Sequence, residues 1–118
     1  MVDLGIEVSE RDGWAVVAVS GEVDVATAPR LREQLIELVN HGRHHIVVDL
    51  SEVEFLDSTG LGVLVGALKR VRTNNGELAL VCSESRILKV FEITGLTKVF
   101  PMHRTLADVA APGSAGGG

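Results

Sequence analysis

The stretch DLSEVEFLDSTGLGVLVGALKR, residues 49–70, decides how this chain folds. It begins at the end of an apolar run, His45 to Leu50, that reads as a strand covered on both faces in a parallel sheet. It ends in a helical pattern, with Leu61, Leu64, Val65, Leu68 and Val71 on one face, stopped by Asn74-Asn75-Gly76. Ser51 to Phe55 reads as the connection between the two. At the junction stand an acid, two hydroxyls and a glycine: Asp57-Ser58-Thr59-Gly60.

Working outward, the same alternation continues. Ile6–Ser9 and Trp14–Ser20 read as strands of an antiparallel hairpin turning at Arg11-Asp12-Gly13, and Gly21 is expected to break the second. A first helix is expected with Thr27 or Ala28 as its cap and Pro29 in its first turn, where a missing N–H costs nothing. It carries Leu31, Leu35, Leu38 and Val39 inward and ends at Asn40-His41-Gly42. Leu78–Cys82 is a further buried strand. Ser85 is expected to cap a third helix that Gly95 closes in the left-handed conformation. A short strand is expected near Val99-Phe100. Thr105 and Asp108 then fit a capping box opening a last short helix, Leu106 to Ala110. The order β-β-α-β-α-β-α-β-α implies an α/β fold with right-handed crossovers and a mostly parallel mixed sheet of about five strands, with about four helices. Residues 1–110 form one domain, and 111–118 read as a flexible Gly/Ala/Ser tail.

Composition narrows the function. The 118 residues are 46% hydrophobic, enough for a real core, and carry a formal net charge of −5 with their 11 Lys and Arg scattered. Aromatics are 3%, with no Tyr. Neither a basic patch nor a stacking platform is available, so nucleic-acid binding is disfavoured. The single cysteine, Cys82, sits in an apolar run and reads as a core residue; no intrachain disulfide can form. The N-terminus lacks a basic region followed by an apolar stretch, and Leu61–Leu68 is too short to span a bilayer. A cytoplasmic location is expected.

Three readings compete at Asp57-Ser58-Thr59-Gly60. Asp57 or Ser58 could cap the helix, worth about 1 kcal/mol. That alone does not explain two adjacent hydroxyls, nor glycines at 60 and 62, which cost a helix roughly 1 kcal/mol each against Ala; close backbone packing or a partner's approach would compensate. Ser58 could be a hydrolase nucleophile, but the elbow G-x-S-x-G has Leu56 at its first glycine, and His41, His44, His45 and His103 offer no triad context. The His41-Gly42-Arg43-His44-His45 cluster lacks flanking Cys or acidic ligands at zinc spacing, so no metal is expected. Third, Ser58 could be a phosphorylation site. A phosphate there would be tolerated by the helix N-terminus, would meet the like charge of Asp57, and would act on a docking surface.

These motifs resemble a known family. Phe55-Leu56-Asp57-Ser58-Thr59-Gly60-Leu61-Gly62 is close to the D-S-[ST]-G-L-G signature of STAS domains, in particular bacterial anti-sigma factor antagonists. Gly21-Glu22-Val23-Asp24 is similar to the family's G-E-[LV]-D, and Leu88-Lys89-Val90-Phe91-Glu92-Ile93-Thr94-Gly95-Leu96 to its third-helix segment. The resemblance runs from about Leu4 to Val109. It implies a binding module rather than an enzyme, with no bound cofactor. The unmodified protein would sequester an anti-sigma factor that is also a serine kinase, and so free the sigma factor. The kinase would phosphorylate Ser58, and a metal-dependent serine phosphatase would reverse this. Asp24, Asp57, Ser58, Thr59 and Gly60 are the implied partner-binding residues, Thr59 standing where many members have serine. A monomer is expected when free. Asp24 could equally serve only the N-terminus of the first helix. Two rivals remain within this reading: a STAS subunit of a membrane transporter, and a nucleotide-binding regulator, the latter weakened by the lack of a P-loop.

Overall fold

The computed structural model describes residues 3–113. Five strands form one sheet in the order β1-β2-β3-β4-β5: β1 (Gly5–Arg11), β2 (Trp14–Val23), β3 (His45–Leu56), β4 (Glu77–Val81) and β5 (Met102–His103). The first pair is antiparallel and the rest are parallel. Three helices connect the parallel strands: α1 (Ala28–Asn40), α2 (Ser58–Thr73) and α3 (Ser85–Ile93). Because the strands are added in sequence order, right-handed crossovers would bring all three helices to one face. The buried residues divide accordingly. Leu31 and Leu35 of α1, Leu64 and Val71 of α2 and Phe91 of α3 join Val17, Val48 and Leu80 in the main core. Trp14, Val16, Val47, Ala79 and Val81 form a second, smaller cluster with Val109.

That second face is covered by the end of the chain. Trp14 Nε1 donates to the carbonyl of Ala110 at 2.8 Å, and Leu106 packs on the same cluster. Residues 114–118 of the expected tail lie outside the described residues. Cys82 is buried, and burial pushes its thiol above the ordinary value, which suits a packing role.

Several local expectations hold. Asp12 and Gly13 both take positive φ, 50° and 91°, as a two-residue hairpin turn requires. Gly95 is left-handed after α3, at φ 76°.

Others are corrected. Gly21 does not end β2: it sits at φ 88° inside the strand, beside a register shift, and lets the strand run on to Val23. Ser51–Phe55 is not a connection but the second half of β3, paired to that extension through Ser20↔Glu52, Gly21↔Val53 and Glu22↔Phe55. Its polar residues are exposed while Val53 and Leu56 are buried. The cap of α3 is Glu84 rather than Ser85, its carboxylate accepting from Arg86 N. The last strand falls at Met102–His103 rather than at Val99-Phe100. Phe100 instead turns inward, edge-on to Phe91. Leu106–Asp108 is a single 3-10 turn, and Thr105 makes no side-chain capping bond, so the described residues form three α-helices and not four.

The glycines of α2 differ in kind. A Cβ on Gly60 would fall 2.5 Å from Leu56 Cδ1 and 2.7 Å from Val23 Cγ1, both on buried side chains. Close packing of this helix start on β2 and β3 therefore requires glycine. At Gly62 and Gly66 a Cβ would meet nothing within 4 Å, so the fold pays helix propensity there with no packing in return. Gly60→Ala should destabilise the domain by about 1–3 kcal/mol through overpacking. Gly62→Ala should stabilise it by about 0.5–1 kcal/mol. Chemical denaturation of the two variants reads the opposite signs directly; a loss of stability in both would contradict the packing described.

Candidate functional site

The carboxyl ends of β2 and β3 are level, because Val23 pairs with Leu56 and Asp57 N donates to the Val23 carbonyl at 3.2 Å. The next residue on each strand is an aspartate. Asp24 and Asp57 thus stand at neighbouring strand ends, each opening a helix. In an α/β sheet this edge is where ligands and partners meet the loops.

The two acids do the same local work. Asp57 Oδ1 accepts from Thr59 N at 2.9 Å and Gly60 N at 3.2 Å, closing two donors that the first turn of α2 cannot satisfy. Asp24 Oδ1 accepts from Ala26 N at 2.9 Å and Thr27 N at 3.0 Å. Thr27 holds the N-cap position of α1 but its hydroxyl gives no capping bond to the helix. It accepts from Asp24 N at 3.0 Å and donates to the Glu22 carbonyl at 2.8 Å, tying the loop to β2. Among the described residues, Oδ2 of each aspartate takes no hydrogen bond. Each acid therefore fixes its loop with one oxygen and leaves the other unbonded.

Ser58 is the first residue of α2 and is exposed. With the cap supplied by Asp57, the Ser58 hydroxyl takes no part in any hydrogen bond among the described residues, and neither does that of Thr59. Gly60 lies buried beneath them against Val23 and Leu56. Of the five residues singled out in the sequence, Asp24, Asp57, Ser58 and Thr59 share the edge, while Gly60 supports it from below.

Sequence reasoning missed two apolar residues here. Val25, directly after Asp24, is 73% exposed, and Phe55, two residues before Asp57, is 48% exposed. Their outward position follows from the pairing of β2 and β3 beyond Gly21, which no local pattern announced. Phe55 is level with Glu22 on the neighbouring strand, so an exposed aromatic ring and a carboxylate stand close to the aspartate edge.

The histidines lie elsewhere. His45 opens β3 and Ser58 follows its far end, on the order of 35 Å along the strand. His41 Nδ1 and His44 Nε2 contact the carbonyls of Glu37 and Val39. His103 is level with Asp49, well short of Asp57. Among the described residues no histidine is hydrogen-bonded to Ser58, and no group of three His, Cys, Asp or Glu gathers as metal ligands would.

Comparison with known proteins places this geometry. The STAS domain family matches residues 5–109. The anti-sigma-B factor antagonist of Staphylococcus aureus is 43% identical over 95 residues, covering 80% of this chain and 88% of that one. That of Staphylococcus epidermidis is 41% identical over the same shares. A crystal structure of an anti-sigma factor antagonist from Mycobacterium paratuberculosis superposes with a TM-score of 0.83 at 36% identity, covering 90% of each chain. With five strands, three helices and a D-S-T-G junction at the sheet edge, the chain belongs to the STAS domain family, alongside its anti-sigma factor antagonists.

Proposed function

We propose that this chain is an anti-sigma factor antagonist working as a phosphorylation-switched binding module. Unphosphorylated, it binds an anti-sigma factor that is a serine kinase and so releases a sigma factor. Phosphate on Ser58 ends that binding, and a serine phosphatase restores it. The observation that carries this reading is the division of labour at the α2 junction. Asp57 caps the helix, so Ser58 is exposed and its hydroxyl bonds to nothing among the described residues. The names of the similar antagonists support the same assignment.

The electrostatics suit a switch at the surface. A phosphate adds about −1.5 to −2 charge at the edge that already carries the carboxylates of Asp57 and Asp24. The helix dipole offsets part of this locally, so the fold survives. A docked partner that tolerates two carboxylates meets a third, doubly charged group. Like-charge juxtaposition in an interface costs several kcal/mol, and every 1.4 kcal/mol is tenfold in affinity. Asp24, Asp57, Ser58 and Thr59 are the contact residues in this scheme, and Gly60 sets their height. The protein performs no catalysis and holds no cofactor; the ATP belongs to the kinase. We place it in the cytoplasm, consistent with the absence, among the described residues, of any helix long and apolar enough to cross a membrane.

Two measurements test this. In equilibrium denaturation, Asp57→Ala should lose about 1 kcal/mol, the value of its cap. Ser58→Ala should stay within about 0.5 kcal/mol of the parent. The reverse order would return Ser58 to a capping role. Incubation with ATP and the anti-sigma kinase of the same genome, followed by site mapping, should add one phosphate at Ser58 and none to Ser58→Ala. Ser58→Asp should bind that kinase at least tenfold more weakly with an unchanged thermal midpoint. A kinase active on another substrate that leaves Ser58 unmodified would instead favour the transporter-subunit reading, which needs no phosphorylated serine.

A further inference from the structure

Helices α1 and α2 lie side by side on the sheet and leave an open trench between them. Two cavities of about 280 and 320 Å³ share Arg32, Thr59 and Val63 in their walls and so run together. The trench begins at Thr59, next to Ser58, and follows α2 past Gly62 and Gly66 to Arg70. Eleven helical steps from Thr59 to Arg70 make that on the order of 16 Å, about three turns.

Three independent features point outward from this trench. Gly62 and Gly66 weaken α2, and nothing among the described residues fills the space beside them. Among the described residues, Arg32 on one wall and Arg70 on the other have no carboxylate partner, although acids outnumber bases in the chain by 16 to 11 and Glu33 lines the end of the trench beside Ala28 and Pro29. The trench is also continuous with the edge that carries Ser58. A second copy of the chain is a poor occupant, since a two-fold contact would set one trench over another and bring the four guanidiniums together.

We propose that the trench seats an acidic α-helix of the anti-sigma partner, an inference that rests on the function proposed above. Gly62 and Gly66 let the backbone of that helix approach α2 closely. Its carboxylates pair with Arg32 and Arg70 in the forked geometry that guanidinium favours. The partner is then held by two surfaces of opposite charge. The acid-rimmed edge around Asp24 and Asp57 answers to phosphorylation, and the basic trench beside it does not. Such a pairing fixes the partner's orientation on Ser58 and rejects partners with only one of the two charges.

The test is calorimetric titration of the anti-sigma kinase with the full chain. Arg32→Glu combined with Arg70→Glu should weaken binding at least tenfold. Gly66→Leu, which fills the trench while favouring the helix, should do the same; if it fails to fold, Gly62→Leu one turn away takes its place. Lys89→Glu, on α3, makes half that change in net charge away from the trench and should change binding less than twofold. Loss in both trench variants, with Lys89→Glu unaffected, is the expected result. Loss in the charge-reversed variant alone would reduce the arginines to long-range steering and overturn the seated helix, as would parental affinity in both. In either case the Ser58 switch would still stand. A parental chain that does not bind the kinase at all would remove the functional reading, and the trench proposal with it.

Discussion

The parallel pairing of β2 with β3, carried as far as Val23↔Leu56, is the constraint on which the rest of the site depends. It aligns two strand ends so that the residue after each is an aspartate, and it supplies the Val23 carbonyl that receives the Asp57 N–H. It also builds the floor of Val23 and Leu56 on which Gly60 rests without a side chain. Were β2 to stop at Gly21, neither the level pair of acids nor the close seat of α2 would exist. The positive φ of Gly21 lets the strand absorb a bulge and continue.

On that frame, one carboxylate oxygen decides what Ser58 is free to do. A helix start needs acceptors for its first N–H groups, and serine is a common supplier. Here Asp57 meets the need with Oδ1 alone, reaching Thr59 and Gly60. The hydroxyl next to it is thereby released from structural duty and held on a rigid element. This is the arrangement a modification site requires: chemistry can be done on the side chain while the backbone that presents it stays capped. Asp24 repeats the device at α1, which keeps the neighbouring loop equally fixed.

The sheet order explains why the helices and the chain's end divide the two faces. Strands added in sequence order, with one hand of crossover, place α1 and α2 adjacent and leave the opposite face to be covered by other means. The segment bearing Leu106 and Val109 supplies that cover, latched by Trp14 to the Ala110 carbonyl. Adjacent helices of unequal bulk leave space between them. The glycines of α2 widen it at Gly62 and Gly66, on the side away from the packed Gly60.

Much of this was written locally. The hairpin turn at Asp12-Gly13, the apolar periodicity of α1 and α2, the left-handed Gly95 and the D-S-T-G junction are all short-range signals, because propensity, capping and burial period act over a few residues. These determined the α/β class, the strand-then-helix setting of Ser58 and, through the motifs, the family. The tertiary structure alone decided which of Asp57 and Ser58 caps the helix, since both are competent and only the backbone geometry selects. It alone turned Ser51–Phe55 from connection into strand, because a polar, alternating segment becomes β-structure only when a partner edge is present to bond it. The exposure of Phe55 and Val25, the level aspartates and the trench between α1 and α2 followed from that same long-range pairing and packing, which no window of sequence contains.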